Sequence, residues 1–238
     1  MKLAIMQPYF LPYIGYFQLL SAVDLFIVYD NIKYTKKGWI NRNRFLQNGT
    51  DSLFSLPLKK DSDFLDVRER ALAADFNPGK LLNQFHAAYL RAPFFAETFT
   101  LLQDIVHFPE TNLFGYIHNS LVKICRHLGI TTEIAVSSTI EIEYPLKNQE
   151  KVIALCRAVG ATDYVNAIGG LELYAPDVFS SQGIALHFIK SRPVTYRQFH
   201  KEFVPWLSIV DVLMFNSVAT IREWLASGYE LLPGQCHG

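Results

Sequence analysis

The amino-acid sequence predicts an α/β protein: a mostly parallel sheet with flanking helices and a helical insertion subdomain. Three observations carry this. Short apolar runs such as Leu3–Met6 and Leu25–Tyr29 contain no polar residue, as strands covered on both faces require. Helix-length segments lie between such runs, the arrangement of a parallel layer. Hydrophobic residues make up 50% of the 238 and charged residues 18%, which suits a large core and excludes wholesale disorder.

Leu3–Met6 reads as the first strand. Pro8 and Pro12 make Gln7–Tyr13 a loop, because proline fits neither a helix interior nor a central strand. A helix over 14–22 and a strand over Leu25–Tyr29 follow. Asn48-Gly49 between Phe45–Gln47 and Ser52–Leu58 is a hairpin signal. Residues 64–74, 77–92, 94–107 and 112–128 read as helices, with Asn77-Pro78 as cap and first turn and Gly129 as a stop. Strands over 130–137, 163–166 and 184–189 alternate with helices over 148–159 and 173–180, and 206–226 is helical. This places an α/β core over 1–61 and 129–238 and a helical insertion over 62–128.

Lys plus Arg and Asp plus Glu both total 22, so no basic excess marks a nucleic-acid binder. Residues 1–60 nevertheless hold eight basic side chains against three acids, Asp24, Asp30 and Asp51. Gln7, Pro8 and Pro12 interrupt the apolar start, so neither a signal peptide nor a membrane span is expected. Cys125, Cys156 and Cys236 are an odd set without metal-ligand spacing; no metal site is expected, and the expected compartment is the reducing cytoplasm. Cys125 and Cys156 sit in apolar helical stretches and read as core thiols. There is no Walker loop, dinucleotide glycine fingerprint, His-Glu-x-x-His or nucleophile elbow.

The loop after the first strand offers Gln7, Tyr9 and Tyr16, with Gly15 allowing close approach. Ligands in open α/β sheets bind outside the carboxyl ends of the strands. Asp30–Arg44 gathers Asp30, Tyr34, Lys37, Trp39, Asn41, Arg42, Asn43 and Arg44. If extended, it puts Trp39, Asn41 and Asn43 on one face and the two arginines on the other, where they could grip phosphate. Ser137, and Asn166 ahead of Gly169-Gly170, fall at later strand ends. Tyr196 and Gln198 follow another strand; Ser208 and Asp211 read as a helix cap and first-turn carboxylate. Gln7, Asp30, Ser137 and Asn166 are expected to converge on one cleft, walled by Trp39–Arg44 and by Tyr196–Gln198.

Gln7 through Phe17, Ala22-Val23-Asp24, Tyr29 through Lys37 and Trp39 through Arg44 resemble the WbqC-like protein family, as do Ala88 through Phe95, Ser137-Ser138, Gly169-Gly170, Tyr196-Arg197-Gln198 and Leu207 through Asp211. Tyr13 departs from the Trp often found in the family, and the stretch from Arg192 to Tyr196 is slightly longer. The resemblance implies a role in surface-polysaccharide (O-antigen) or secondary-metabolite biosynthesis. It implies acyl or aminoacyl transfer, for instance of glycine, to an amino sugar or similar amine. The acceptor would be nucleotide-linked and the donor a phosphopantetheine-linked thioester on a carrier protein. In that reading Gln7, Asn41 or Asn43 stabilises the oxyanion. Asp30, or else His86 or His200, takes the amine proton. Arg42 and Arg44 hold phosphate. A nucleotidyltransferase-like enzyme and a non-catalytic binding protein are the alternatives.

Overall fold

A computed structural model describes residues 1–143 and 146–234; Cys236 lies outside them. Strands β1 (Lys2–Met6), β2 (Leu25–Val28), β5 (Glu133–Val136), β6 (Asp163–Ala167), β7 (Ala185–Ser191) and β8 (Tyr229–Pro233) form one sheet in the order β5-β2-β1-β6-β7-β8. All neighbours are parallel except β8, which runs antiparallel to β7. Strands β3 (Arg42–Gln47) and β4 (Thr50–Ser55) form a separate hairpin. Asn48 and Gly49 turn it with φ of 52° and 81°, the left-handed pair that a two-residue turn needs.

Why the middle of the sheet is apolar on both faces is visible in how its strands divide. Ala4, Phe26, Val28, Val165 and Ile189 face one core. Their chain neighbours Leu3, Ile5, Leu25, Ile27, Tyr164, Leu186 and Phe188 face the other. The larger core is closed by α1 (Ile14–Ser21), α2 (Pro78–Tyr89), α3 (Phe95–Val106), α4 (Leu113–Leu128), α7 (Ile209–Phe215), α8 (Val218–Ser227) and the hairpin. The smaller is closed by α5 (Asn148–Ala158) and α6 (Pro176–Ser181). With period 2 and both faces covered, β2 is buried at every position and β1 and β6 at their three central ones. Each large side chain so buried contributes about 1.5–3 kcal/mol. No helix among the described residues is long and apolar enough to cross a membrane.

Several sequence expectations need correction. Residues 64–74 hold only a single 3-10 turn, Val67–Glu69. Their backbone groups bond to other segments instead: Tyr34 N donates to Leu65 O at 3.1 Å, Val67 N to Ile32 O at 2.9 Å and Leu72 N to Thr111 O at 2.8 Å. The helix expected over 206–226 is two, because the Asn216 side chain closes α7 on Val212 O and Ser217 caps α8 through Thr220 N. The helix expected over 173–180 splits into a 3-10 stretch, Ile168–Leu173, and α6, which starts at Pro176. Strand β8, on the edge, was not anticipated. By contrast Asn77 caps α2 by accepting from Lys80 N, and Gly129, at φ 69°, ends α4.

The strand order reverses between β1 and β6. From β1 the chain runs outward to β2 and β5, then returns to β6 and runs the other way to β7. Pairing of β1 with β2 continues to Met6↔Val28, and that of β6 with β7 to Ala167↔Ile189. Pairing of β1 with β6 is confined to Lys2↔Asp163 and Leu3↔Tyr164, although both strands run on. The sheet therefore parts at the carboxyl ends of its two middle strands, where doubly wound sheets bind ligands.

Candidate functional site

Each parallel strand delivers polar groups to this edge. Gln7 ends β1, half-buried, with Oε1 accepting a long bond from the Tyr9 hydroxyl at 3.4 Å. Asn166, at the end of β6, is buried. Its Oδ1 accepts from Ala167 N at 2.9 Å, and its Nδ2 packs so closely on Gly170 that a Cβ there would lie 2.3 Å away.

Asp30 and Ser137, two residues past β2 and one past β5, meet directly, as expected of neighbouring parallel strands. Asp30 is buried and accepts from Ser138 Oγ at 2.6 Å and Ser138 N at 2.9 Å. Ser137 Oγ lies 2.7 Å from both Asp30 Oδ1 and Asn31 Oδ1, and its single hydrogen serves one at a time. Lys151 of α5, also buried, donates to Asn31 O and Oδ1 at 3.0 Å each and lies 4.7 Å from the Tyr29 ring centroid. Burial lowers the Lys151 pKa, while the Asp66 and Asp30 charges hold it up. His118 of α4 feels the Asp30 charge too; burial lowers its pKa, and its buried Nε2 has no hydrogen-bond partner among the described residues.

On the other side of the parting, Tyr13, Arg192, Val194, Tyr196, Phe203 and Trp206 are among the residues lining a mostly apolar slot of about 200 Å³. The slot opens between the start of α1, the end of β7 and the loop that follows β7. Tyr13 folds its ring over Gly15, where a Cβ would meet it at 2.3 Å, and its hydroxyl bonds the Ser191 side chain. The close approach expected at Gly15 is thus made by Tyr13, which covers the first turn of α1. Leu11 and Trp206 both carry positive φ, 48° and 59°, an uncommon backbone for such residues. Two donors converge on the Leu11 carbonyl, Asn43 Nδ2 at 2.9 Å and Ser208 Oγ at 2.7 Å, and Ile209 N donates to Pro12 O at 2.8 Å. The loop after β1 is therefore clamped by the hairpin and by the start of α7.

These bonds reassign much of the segment from Tyr34 to Arg44. Asn43 is buried, with Oδ1 accepting from Arg44 N at 2.8 Å and Nδ2 donating to Leu11 O, so both ends of its amide serve the fold. Asn41 donates to Leu56 O at 2.7 Å and accepts from the Tyr34 hydroxyl at 2.8 Å. Neither is placed to meet an oxyanion. Tyr34 is buried beneath Arg70, 4.8 Å from its ring. Arg42 turns back onto the carbonyls of Gly38 and Lys37. Arg44 pairs with Asp51 at 3.3 Å. Both arginines lie beside the Trp39 ring, at 5.7 and 5.4 Å, not on the opposite face. Strand alternation fails there because β3 begins only at Arg42. Trp39, 42% exposed, and exposed Lys37 remain on the surface.

Tyr16 is buried as well, its hydroxyl donating to Gln7 O at 3.1 Å; it braces the site and does not line it. Tyr9 is half-buried against Tyr16, with centroids 5.7 Å apart. Tyr196 and Gln198 both donate to Asp211 Oδ1, at 2.6 and 2.8 Å, while the Tyr89 hydroxyl donates to Oδ2 at 2.9 Å. Asp211, read as an ordinary first-turn carboxylate, is fully buried. Burial pushes its carboxyl above the usual range, against those three hydrogen bonds. His86 packs on Phe95 and Phe99, and His200 on Gly49, so neither stands at the strand ends. The Cys125 and Cys156 thiols are buried, each pushed up to about 12 by desolvation. Among the described residues no cluster of His, Cys, Asp and Glu could hold a metal ion.

Lys151 and His118 were missed because each is a lone residue on an amphipathic helix; nothing in the local sequence distinguishes them from surface positions.

A doubly wound sheet parted at its reversal point, with polar strand ends on one side and an aromatic slot on the other, defines an α/β protein with a crevice at the carboxyl edge of its sheet. Within that class the chain belongs to the WbqC-like protein family, whose model matches residues 7–223. It is similar to the uncharacterised protein Rv1507c of Mycobacterium tuberculosis, 30% identical over 227 residues, which covers 94% of this chain and 97% of the relative. No solved structure is significantly similar to the chain.

Proposed function

We propose that the chain is an amide-forming transferase that moves an acyl or aminoacyl group, such as glycyl, from a thioester to an amine such as an amino sugar. The observation that carries the reading is that β1 and β2 run side by side up to Met6↔Val28, so Gln7 and the Asp30–Ser138 pair follow the carboxyl ends of neighbouring strands on the edge where β1 parts from β6. The amine attacks the thioester carbonyl. Gln7 Nε2, which makes no hydrogen bond among the described residues, donates to the tetrahedral oxyanion. The exposed Ser138 hydroxyl relays the amine proton to Asp30. The sulfur leaves as the thiol, carrying that proton, and the C–N bond replaces the C–S bond. With both described thiols buried and poorly ionised, direct transfer fits better than a cysteine intermediate. The aromatic slot suits a sugar ring or the apolar arm of a thioester.

The test is incubation with glycyl thioesters, free and carrier-bound, and a panel of nucleotide-linked amino sugars, followed by mass spectrometry. Acceptor mass should rise by one acyl unit, and Gln7→Ala should slow this about 100-fold, the cost of one oxyanion donor. No mass gain across the panel contradicts the reading. A second reading, a non-catalytic binding protein, is favoured by how many polar side chains serve internal bonds. It predicts a ligand that binds in the slot and leaves unchanged. A nucleotidyltransferase is less well supported, since the Tyr13 ring covers the helix start where a phosphate would sit.

A further inference from the structure

A second cavity, of about 470 Å³, lies between the β3–β4 turn, the end of α2 and the loop after β7. Gln47, Asn48, Arg91, Phe199 and His200 are among its lining residues, and no carboxylate lines it. The Arg91 guanidinium lies 5.8 Å from the Phe199 ring centroid and forms no ion pair among the described residues. The His200 ring packs on the turn, its Cδ2 3.1 Å from where a Gly49 Cβ would stand. Two nitrogen donors of cationic type are thus held over a roomy, partly apolar hollow with no internal anion. Arg suits a bidentate grip on an oxyanion, and the rim amides of Gln47 and Asn48 add neutral donors.

The same loop walls both cavities. Phe199 and His200 face this one, while Tyr196, Phe203, Pro205 and Trp206 face the aromatic slot. Between them Gln198 pins the loop to itself at Val204 and to Asp211, and Phe199 packs edge-on to Phe215 at 4.8 Å.

We propose that this hollow is a second binding site for a small molecule bearing an oxyanion, phosphate or carboxylate, held by Arg91 and His200, whose occupancy is felt at the slot through the loop 196–206. The proposal stands apart from the transfer reaction, and its test measures binding only. Inorganic phosphate and acetate, in separate titrations at constant ionic strength set with chloride, are followed by NMR at the His200 ring and the Trp206 indole. Assignments come from His200→Gln and Trp206→Phe. His200 should shift saturably with at least one probe, and whichever binds names the oxyanion. Arg91→Gln should weaken that binding about tenfold, as loss of a charge-assisted hydrogen bond implies. Arg91 is exposed, so the variant should fold, as circular dichroism will check. Trp206 should move in step with His200. Shifts that do not saturate with either probe, or that persist undiminished in Arg91→Gln, overturn the site. Saturation at His200 with Trp206 unmoved overturns the link between the cavities.

Discussion

The segment from Trp39 to Arg44 and the strand-end cluster of Asp30, Ser137 and Ser138 are both rich in polar side chains, yet they work differently. In the first, both asparagines and Arg42 close bonds within the fold: Asn41 to Leu56, Arg42 to Gly38, Asn43 to Leu11. In the second, a buried carboxylate is linked through one exposed hydroxyl to the edge where the sheet parts. Buried backbone groups must be satisfied wherever a chain makes an irregular turn, and asparagine is the residue that does so locally. Polar density in a sequence therefore marks the brace as readily as the site it holds.

The contrast can be broken by mutation, and the largest stability loss is expected at the cluster. Asp30→Ala strands the Ser138 amide and hydroxyl, while Ser137 keeps Asn31 as acceptor, and should cost about 3 kcal/mol in urea denaturation. A loss below 1 kcal/mol would mean that the cluster is not buried as described. Asn43→Ala should cost about 2 kcal/mol, because it removes one clamp from the strained Leu11 turn and leaves Arg44 N unpaired. A variant as stable as the parent would free Asn43 for a role at the site.

Asp211 gives a signed test of the brace on the slot side. Burial raises its carboxyl in the folded state, so the group protonates more readily folded than unfolded. Its contribution is full below its ordinary value of 3.8 and is lost as pH climbs through the raised one. The stability of the parent minus that of Asp211→Asn should therefore fall as pH rises from about 4 toward neutrality. A difference that grows with pH would mean that the hydrogen bonds from Tyr196, Gln198 and Tyr89 outweigh burial. The smallest effect belongs to Arg44→Ala: its partly exposed pair with Asp51 should contribute about 0.5 kcal/mol. A larger loss would make Arg44 part of the brace through its packing beside the Trp39 ring.

How much of this was legible follows from where the determining contacts lie. Strands β1 and β2, the turn at Asn48-Gly49 and the caps at Asn77 and Ser208 depend on neighbours within a few residues, and the sequence carried them. The meeting of Asp30 with Ser137 followed from parallel topology alone. The irregular course of 64–74 did not, since Ile32, Tyr34 and Thr111 decide it from afar. Nor did the burial of Asp211, whose three donors arrive from 13, 15 and 122 residues away. Lys151 reaches Asn31 across 120 residues from a helix whose own pattern gives no hint.

The division between brace and site rests most directly on one comparison: turnover per folded molecule, with the folded fraction taken from denaturation curves, for Gln7→Ala and Asn43→Ala in the acyl-transfer assay. Gln7→Ala should keep the stability of the parent and lose about 100-fold in turnover. Asn43→Ala should lose stability and keep its turnover once corrected for folding. The reverse pattern, with Asn43→Ala inactive though folded and Gln7→Ala fully active, would move the site from the parted strand ends to the hairpin.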